Sequence, residues 1–271
     1  MAKPTATLTV LRTEWLTPHM VRVILGDPGF DSFVPNACTD AYAKLEFGSP
    51  EAPVLRTYTI RSVDPSAREI AIDFVVHGDA GVAGPWAAAA AAGDILTLRG
   101  PGGAFAPDPA ADWYLFAGDE TAIPAISASV EKLDASAVGR VIIEVAGSDD
   151  EIAFDAPAGV DVTWIHRGDT ADRIGDEASG DNAPLVAAVR DTEWLPGDAQ
   201  VFIHGEAQAV MHNLRSYVRN ERGVPARSAS ISGYWRRGRT EEGFRVWKSE
   251  LAASEGASAV CSRNQRVNSA V

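Results

Sequence analysis

The hexapeptide Arg56-Thr57-Tyr58-Thr59-Ile60-Arg61 sets two cations, an aromatic ring and two hydroxyls in fixed order. In an extended strand side chains alternate between faces, so Arg56, Tyr58 and Ile60 share one face and Thr57, Thr59 and Arg61 the other. Neither face is plainly core or plainly solvent. An arginine suits a phosphate, an aromatic ring suits a flat π system, and a hydroxyl can donate or accept. Two other stretches invite phosphate chemistry. "HGDAGVAGPW" (77–86) leaves a strand at His77 and runs through small residues to a helix at Trp86. Glycine permits close backbone approach, and a helix start leaves N–H groups for an anion. "AGDETAIP" (117–124) reads as strand, Gly118, then a helix start with Asp119 or Thr121 as N-cap. Taken singly, a loop with positive φ angles and a plain capped helix explain these two stretches about as well. The dinucleotide fingerprint is absent, because Gly100-Pro101-Gly102 lacks the third glycine and precedes a strand. His19, His166, His204 and His212 show no metal-ligand spacing, and no G-x-S-x-G motif occurs, so neither a metal centre nor a serine hydrolase is expected.

The elements that must position these residues fall into two groups. Short Val-, Ile- and Thr-rich runs at 5–12, 20–25, 41–47, 55–62, 69–77 and 95–100 are separated by Gly, Pro and Asp clusters, as in a closed antiparallel barrel. "WAAAAAA" (86–92) reads as a short helix ended by Gly93. After the Gly/Pro-rich stretch at 100–112, apolar strands at 113–118, 140–147, 160–167, 199–205 and 227–235 alternate with helical patterns at 121–133, 184–191 and 207–223. That alternation means a parallel sheet covered on both faces. The expected fold is therefore a six-stranded antiparallel β-barrel over 1–108, a Rossmann-like parallel-sheet nucleotide-binding domain over 109–251, and a disordered tail over 252–271.

Composition narrows the partners. With 46% hydrophobic and 23% charged residues the chain can build a packed core. A net charge of −13 argues against nucleic acid. No apolar run is long enough to enter a membrane, no leader pattern opens the chain, and Cys38 and Cys261 make no disulfide framework. A reduced, cytoplasmic location is the expectation. Charge is uneven, since 205–250 carries a local net of +4, either a solvated arginine-rich helix or a focus for an anionic ligand.

In the order of its parts the chain resembles the ferredoxin-reductase superfamily, and more closely the siderophore-interacting protein family of flavin-dependent ferric-siderophore reductases. "DAYAKLEF" (40–47), "RTYTIR" (56–61), "DFVVHGDAG" (73–81), "AGDETAIPAI" (117–126) and "SGYWRRG" (232–238) carry the resemblance, which covers about residues 5–251. It implies FAD, with Arg56 on a phosphate, Tyr58 against the isoalloxazine, and Thr59 near flavin N5. Arg61 would hold the outer face or a second anion. Asp73, Val75 and His77 would continue the flavin wall, and backbone at Ala83 and Gly84 would meet the diphosphate. Relatives place a serine and a basic residue where Gly84 and Pro85 stand, so a side-chain contact gives way to a backbone one, and Pro85 has no N–H.

The resemblance further implies that Gly118, Asp119, Glu120 and Thr121 border a nicotinamide cofactor, with Glu120 in place of a glycine of related reductases. The acidic "EVAGSDDE" suits a ribose diol, whereas Arg167, Arg236 and Arg237 would suit the phosphate of NADPH. NADPH is the expected donor, with NADH as the alternative. Lys44, Arg245 and Lys248 would form a basic mouth for a ferric siderophore, against solvated surface charge as the plain reading of each. The expected reaction is hydride transfer from NAD(P)H to FAD and reduction of Fe(III)-siderophore, which needs no acid–base dyad, and Tyr58 and Thr59 would flank the reacting ring. The alternatives are a ferredoxin or flavodoxin reductase, docking an acidic ferredoxin-like protein on the basic 205–250 segment, and a non-catalytic siderophore-binding protein.

Overall fold

Ala6, Leu8 and Val10 are buried in alternation with less buried neighbours along the first strand, β1 (Thr5–Thr17). The same period of two recurs in β3 (Tyr42–Ser49) and β6 (Ile95–Gly102), whereas β2 (Met20–Gly26) and β5 (Glu69–Val75) are buried along most of their length and β4 (Ala52–Asp64) is buried only at Thr59 and Ile60. These strands close an antiparallel barrel in the order β1-β2-β5-β4-β3-β6, which removes the exposed edges an open sheet would present. Its interior is filled by Leu8, Leu25, Leu45, Ile70, Ile72, Phe74, Leu96 and Leu98. Helix α1 (Ala83–Ala89) starts three residues before the expected Trp86, because Ala83 and Ala87 drop into that core and Trp86 packs on Phe47 and Phe74.

The computed structural model describes residues 4–49, 51–77, 81–240, 242–244, 246–247 and 251; the expected tail at 252–271 lies outside the described residues. By packing, residues up to Tyr234 form one unit and those from Trp235 a second. Within the first unit the barrel is followed by β7 (Trp113–Asp119), α2 (Ile123–Val130), β8 (Val138–Val145), β9 (Gly159–His166), α3 (Pro184–Asp191), β10 (Ala199–Glu206) and β11 (Ala229–Trp235). The sheet order is β11-β10-β7-β8-β9, and the pairs β10–β7, β7–β8 and β8–β9 are parallel. Every residue of β7 and β10 is buried, as strands covered on both faces must be. The chain leaves β7 toward β8 on one side and returns to β10 on the other, so the strand order reverses beside β7.

One expected α-helix differs. Gln208–Leu214 and Tyr217–Glu221 wind as π-turns, with Arg215 N–H donating to Val210 O and Arg222 N–H to Tyr217 O, five residues back. Buried Val210, Leu214 and Val218 recur every four residues, a spacing that an α-helix and a wider turn both satisfy.

Barrel and sheet share a core. Met20 and Phe105 are buried in one cluster with Phe116, Ile123, Ile126 and Phe202, and Phe105 meets Phe202 with ring centroids 4.8 Å apart. Ser129 Oγ on α2 lies 2.7 Å from Thr39 Oγ1 of the barrel's long β2–β3 connection, both buried. Within the second unit Arg236 lies over the Trp247 ring at 5.0 Å and Phe244 stacks on Trp247 at 5.7 Å. No helix among the described residues is long and apolar enough to cross a membrane. Because Phe116 is fully buried at the joint, Phe116→Ala is expected to cost about 3–5 kcal/mol. Urea unfolding followed by both tryptophan fluorescence and far-UV dichroism is expected to show barrel and sheet failing in one shifted transition.

Candidate active site

β4 is anchored on one side only where its chemistry lies. Its pairing with β5 begins at Ile60↔Ile72 and runs to Asp64↔Glu69, while residues 52–59 register with β3 alone. Across the gap, Asp73–Val75 of β5 register with β2. The two strands therefore splay beside Arg56–Thr59 and leave a slot in the barrel wall. A slot, unlike a closed wall, lets one flat ligand meet side chains from both faces of a strand. Tyr58 and Ile60 belong to the inward face, where Tyr58 packs on Phe74 with centroids 4.5 Å apart. Arg56 shares that parity, is half-buried, and donates from Nη1 to Leu55 O at 2.9 Å. Thr59 faces the other way, level with Tyr42, is 8% exposed, and its hydroxyl bonds the Tyr234 phenol. Burial, with the carboxylates of Asp40 and Asp119 nearby, pushes the Tyr234 phenol well above its usual range, and the Thr59 bond only partly opposes this.

At the end of the slot α1 starts from Val82 at its N-cap position, with no side-chain cap among the described residues. Gly84 lies against β5, where a Cβ would stand 3.2 Å from Val75 O. These features are ones a flavin would fit, with Arg56 as the expected phosphate partner, Tyr58 and Thr59 as the expected ring contacts, and backbone at Ala83 and Gly84 as the expected diphosphate contact. Two of the expected residues are paired within the chain: Asp73, expected in the flavin wall, and Arg61, expected on the outer face or a second anion. Asp73 is buried and accepts from Arg22 Nε at 2.6 Å and Nη2 at 2.8 Å, so it braces β2 against β5 instead of facing a ligand. Arg61 bonds Glu131 at the end of α2, Nη1 to Oε2 being 3.0 Å, and holds the barrel to the sheet instead of a second anion. Val75 and exposed His77 line a cleft with Thr17, His19, Met20, Glu120, Ile123 and Arg167, where the barrel faces the carboxyl ends of the parallel strands.

On the sheet side the expected cofactor residues are largely occupied by one another. Gly118 is required by packing, since a Cβ there would run into His204 O and Ala122 Cβ. Asp119 accepts from Thr121 N at 2.9 Å and Thr121 Oγ1 through one oxygen, and from Glu206 N at 2.8 Å through the other. The carboxylate thus ties the ends of β7 and β10 together. Asp119 is the N-cap of the turn that follows β7, and Thr121 is the residue it caps. Glu120 forms a two-pronged ion pair with Arg167, whose side chain is 2% exposed and also lies 3.5 Å from Glu144. Burial raises the Glu144 pKa, against the N–H of Leu185 at 2.7 Å and Arg167. Burial works to lower the Arg167 pKa, but Glu120 and the surrounding carboxylates outweigh it and the net shift is upward. The Arg167 charge is therefore balanced by carboxylates of its own chain.

Arg236 stacks on Trp247 within the second unit, where Arg237 also lies. Arg245 and Lys248 lie outside the described residues. Lys44 is half-buried on the outward face of β3, level with Thr57 and Arg99, and Arg99 bonds Glu46. Three contributors were missed by residue reading. Tyr234 sits within "SGYWRRG" but has no neighbour in sequence that betrays Thr59 as its partner. His19 meets Asp150 (Nδ1 to Oδ1 2.9 Å) across the cleft, and Arg22 pairs with Asp73; both pairs join residues remote in the chain.

Known proteins share this arrangement. The profile described as "Siderophore-interacting protein" matches residues 111–238, and "Siderophore-interacting FAD-binding domain" matches 46–105, the span of β4, the slot and α1. An uncharacterized protein of Mycobacterium tuberculosis is 56% identical over 93% of this chain and 98% of its own length. The ferric vibriobactin reductase of Vibrio cholerae is 35% identical over 71% and 68%. The chain belongs to the siderophore-interacting protein family. The NADPH-dependent ferric-chelate reductase of Escherichia coli is 29% identical over 84% of this chain and 91% of its own. A siderophore utilization protein from T. fusca superposes with a TM-score of 0.76 at 34% identity, covering 89% and 96%. Within this family fold the Thr59–Tyr234 contact is open to a direct check. Tyr234→Phe is expected to remove one phenol that titrates later than the usual tyrosine range in an absorbance titration at alkaline pH. Since the folded phenol is the harder one to ionise, its contribution to stability is present below the ordinary tyrosine pKa and is lost above it.

Proposed function

We propose that this siderophore-interacting protein is a flavin-dependent ferric-siderophore reductase, using FAD and a reduced nicotinamide nucleotide in the cytoplasm. The observation that carries the reading is the splay between β4 and β5, with Arg56, Tyr58 and Thr59 at its edge, inside the span matched by the FAD-binding profile. The named activities of the Vibrio cholerae and Escherichia coli relatives support ferric-chelate reduction. When bound, FAD would take a hydride from the nucleotide and release two electrons singly, one to each of two ferric centres.

The chain's own residues do the rest. Arg56 holds phosphate charge at the edge of the slot. Tyr58, stiffened by Phe74, offers an apolar wall to the ring, and the Thr59 hydroxyl, held by Tyr234, offers one oriented hydrogen bond near N5. The cleft beyond Val75 and His77 would receive the nicotinamide end of the donor. Lys44 stands on the outward face of β3 that continues toward Tyr42 and Thr59, where an anionic ferric chelate would approach. A ferric ion bound by hard oxygen donors loses affinity for them once reduced, so iron leaves without a general acid or base.

An anaerobic visible spectrum of the purified protein tests this. The flavin band is expected to bleach on adding reduced nucleotide and to return on adding a ferric siderophore. A colourless protein that takes up no added FAD would overturn the reading. Arg56→Ala is expected to weaken FAD binding at least about tenfold, measured by ultrafiltration, because a charge-assisted contact is lost.

A further inference from the structure

The first strand is longer than closure of the barrel requires. β1 registers with β6 only between Thr5 and Thr9, whereas its register with β2 runs on to Thr17. At Val10 the side away from β2 is still closed, because Val10 N–H donates to Asp94 O at 2.8 Å and Gly93 N–H to Val10 O at 2.9 Å. Over residues 11–16, among the described residues, no strand other than β2 and no loop bonds the backbone. Such an edge offers its outward N–H and C=O groups to a further strand.

The side chains on this edge do not all suit water. Trp15 registers with Val21, which is fully buried, yet Trp15 itself is 51% exposed, since β6 does not reach that far along β1. Leu11, at a register shift of the same strand, is also exposed, as is Ile95, level with Thr9 at the start of β6. Single exposed apolar side chains need no explanation, but three along one strand edge mark an interaction surface.

The order of the charges says what covers it. Arg12, Thr13 and Glu14 follow one another and all are exposed. When this strand meets a second copy of itself antiparallel, with a two-fold axis at Thr13, Arg12 faces Glu14 of the second copy and Leu11 faces its Trp15. Both charge pairs are then opposite in sign, which stabilises a cross-strand pair. An axis moved by one residue sets Glu14 against Glu14 or Arg12 against Arg12, which destabilises it. An edge guarded against its own copy would carry one sign of charge, whereas this one carries both in self-complementary order. Arg12 also holds Glu69 of its own chain at 2.6 Å, but that pair is exposed and costs little to share.

We infer that residues 11–15 of β1 are a dimerisation edge, pairing antiparallel with the same residues of a second copy of this chain about a two-fold axis at Thr13. The pairing joins two β1–β2 ribbons into one sheet. It needs no bound cofactor and stands apart from the proposed reaction.

Sedimentation equilibrium on the full chain is expected to show a reversible dimer. Glu14→Arg is expected to weaken it at least about tenfold, and adding Arg12→Glu to that change is expected to restore it, because opposite charges face each other again. Thr13→Cys is expected to give a disulfide-linked dimer on mild oxidation, since directly opposed Cα atoms stand about 4.5–5.5 Å apart, within the span of a disulfide. Arg12→Cys sets its two thiols on a diagonal instead, and is expected to link at least about tenfold more slowly. These positions lie on an exposed edge outside the slot and the cleft, so FAD uptake and far-UV dichroism are expected to be unchanged in every variant. A monomer at all concentrations would overturn the inference. So would a dimer that the charge changes leave equally tight, or equal linking by the two cysteine variants, because each places the contact on another face or in another register.

Discussion

The apolar joint between barrel and sheet is the constraint on which the site depends. Met20 and Phe105 are buried among Phe116, Ile123, Ile126 and Phe202, so the slot beside β4 and the carboxyl ends of β7, β8 and β9 are set by one packed cluster. A site whose ring-binding groups come from the barrel and whose nucleotide-facing loops come from the sheet needs those parts within a fraction of an ångström. Close packing supplies this, because an interior at crystal-like density has no slack to slide. Arg61–Glu131 and His19–Asp150 lie across the same joint and add direction to a contact that burial alone would leave nonspecific.

The polar groups near the sheet's carboxyl edge follow a second rule, mutual satisfaction. Asp119 ties β7 to β10, Glu206 caps the next helix by accepting from Gln208 N and Ala209 N, and Glu144 takes the first free N–H of α3. At these three starts near the switch point orphan N–H groups thus find a carboxylate from their own chain. The barrel side is different, for among the described residues no side chain caps α1.

Much of this was readable in advance where a local pattern sufficed. Short Val-, Ile- and Thr-rich runs between Gly, Pro and Asp clusters mark all six barrel strands, and the apolar runs at 113–118 and 199–205 mark two inner strands of the sheet. The hexapeptide 56–61 reads as unlike an ordinary strand, and its residues up to Thr59 register with β3 alone. Ambiguity remained where one pattern serves two structures: buried residues four apart in 207–223 fit an α-helix and the observed π-turns alike. The misassigned residues share a cause. Asp73, Asp119, Arg61 and Arg167 are charged groups near a ligand-binding region, and sequence gives no means of knowing that Arg22, Glu206, Glu131 and Glu120 would reach them first.

The sequence by itself determined the order of barrel and parallel sheet, the family, and the side-chain types available for flavin, since these follow from periodicity and short motifs within a few residues of one another. Only the tertiary structure decided which charges remain to meet a ligand. An ion pair such as Arg22–Asp73 or Arg167–Glu120 joins residues some fifty positions apart, and its existence depends on strand order and register. Burial then makes the pairing obligatory, because a charge removed from water must find its counterion inside the protein.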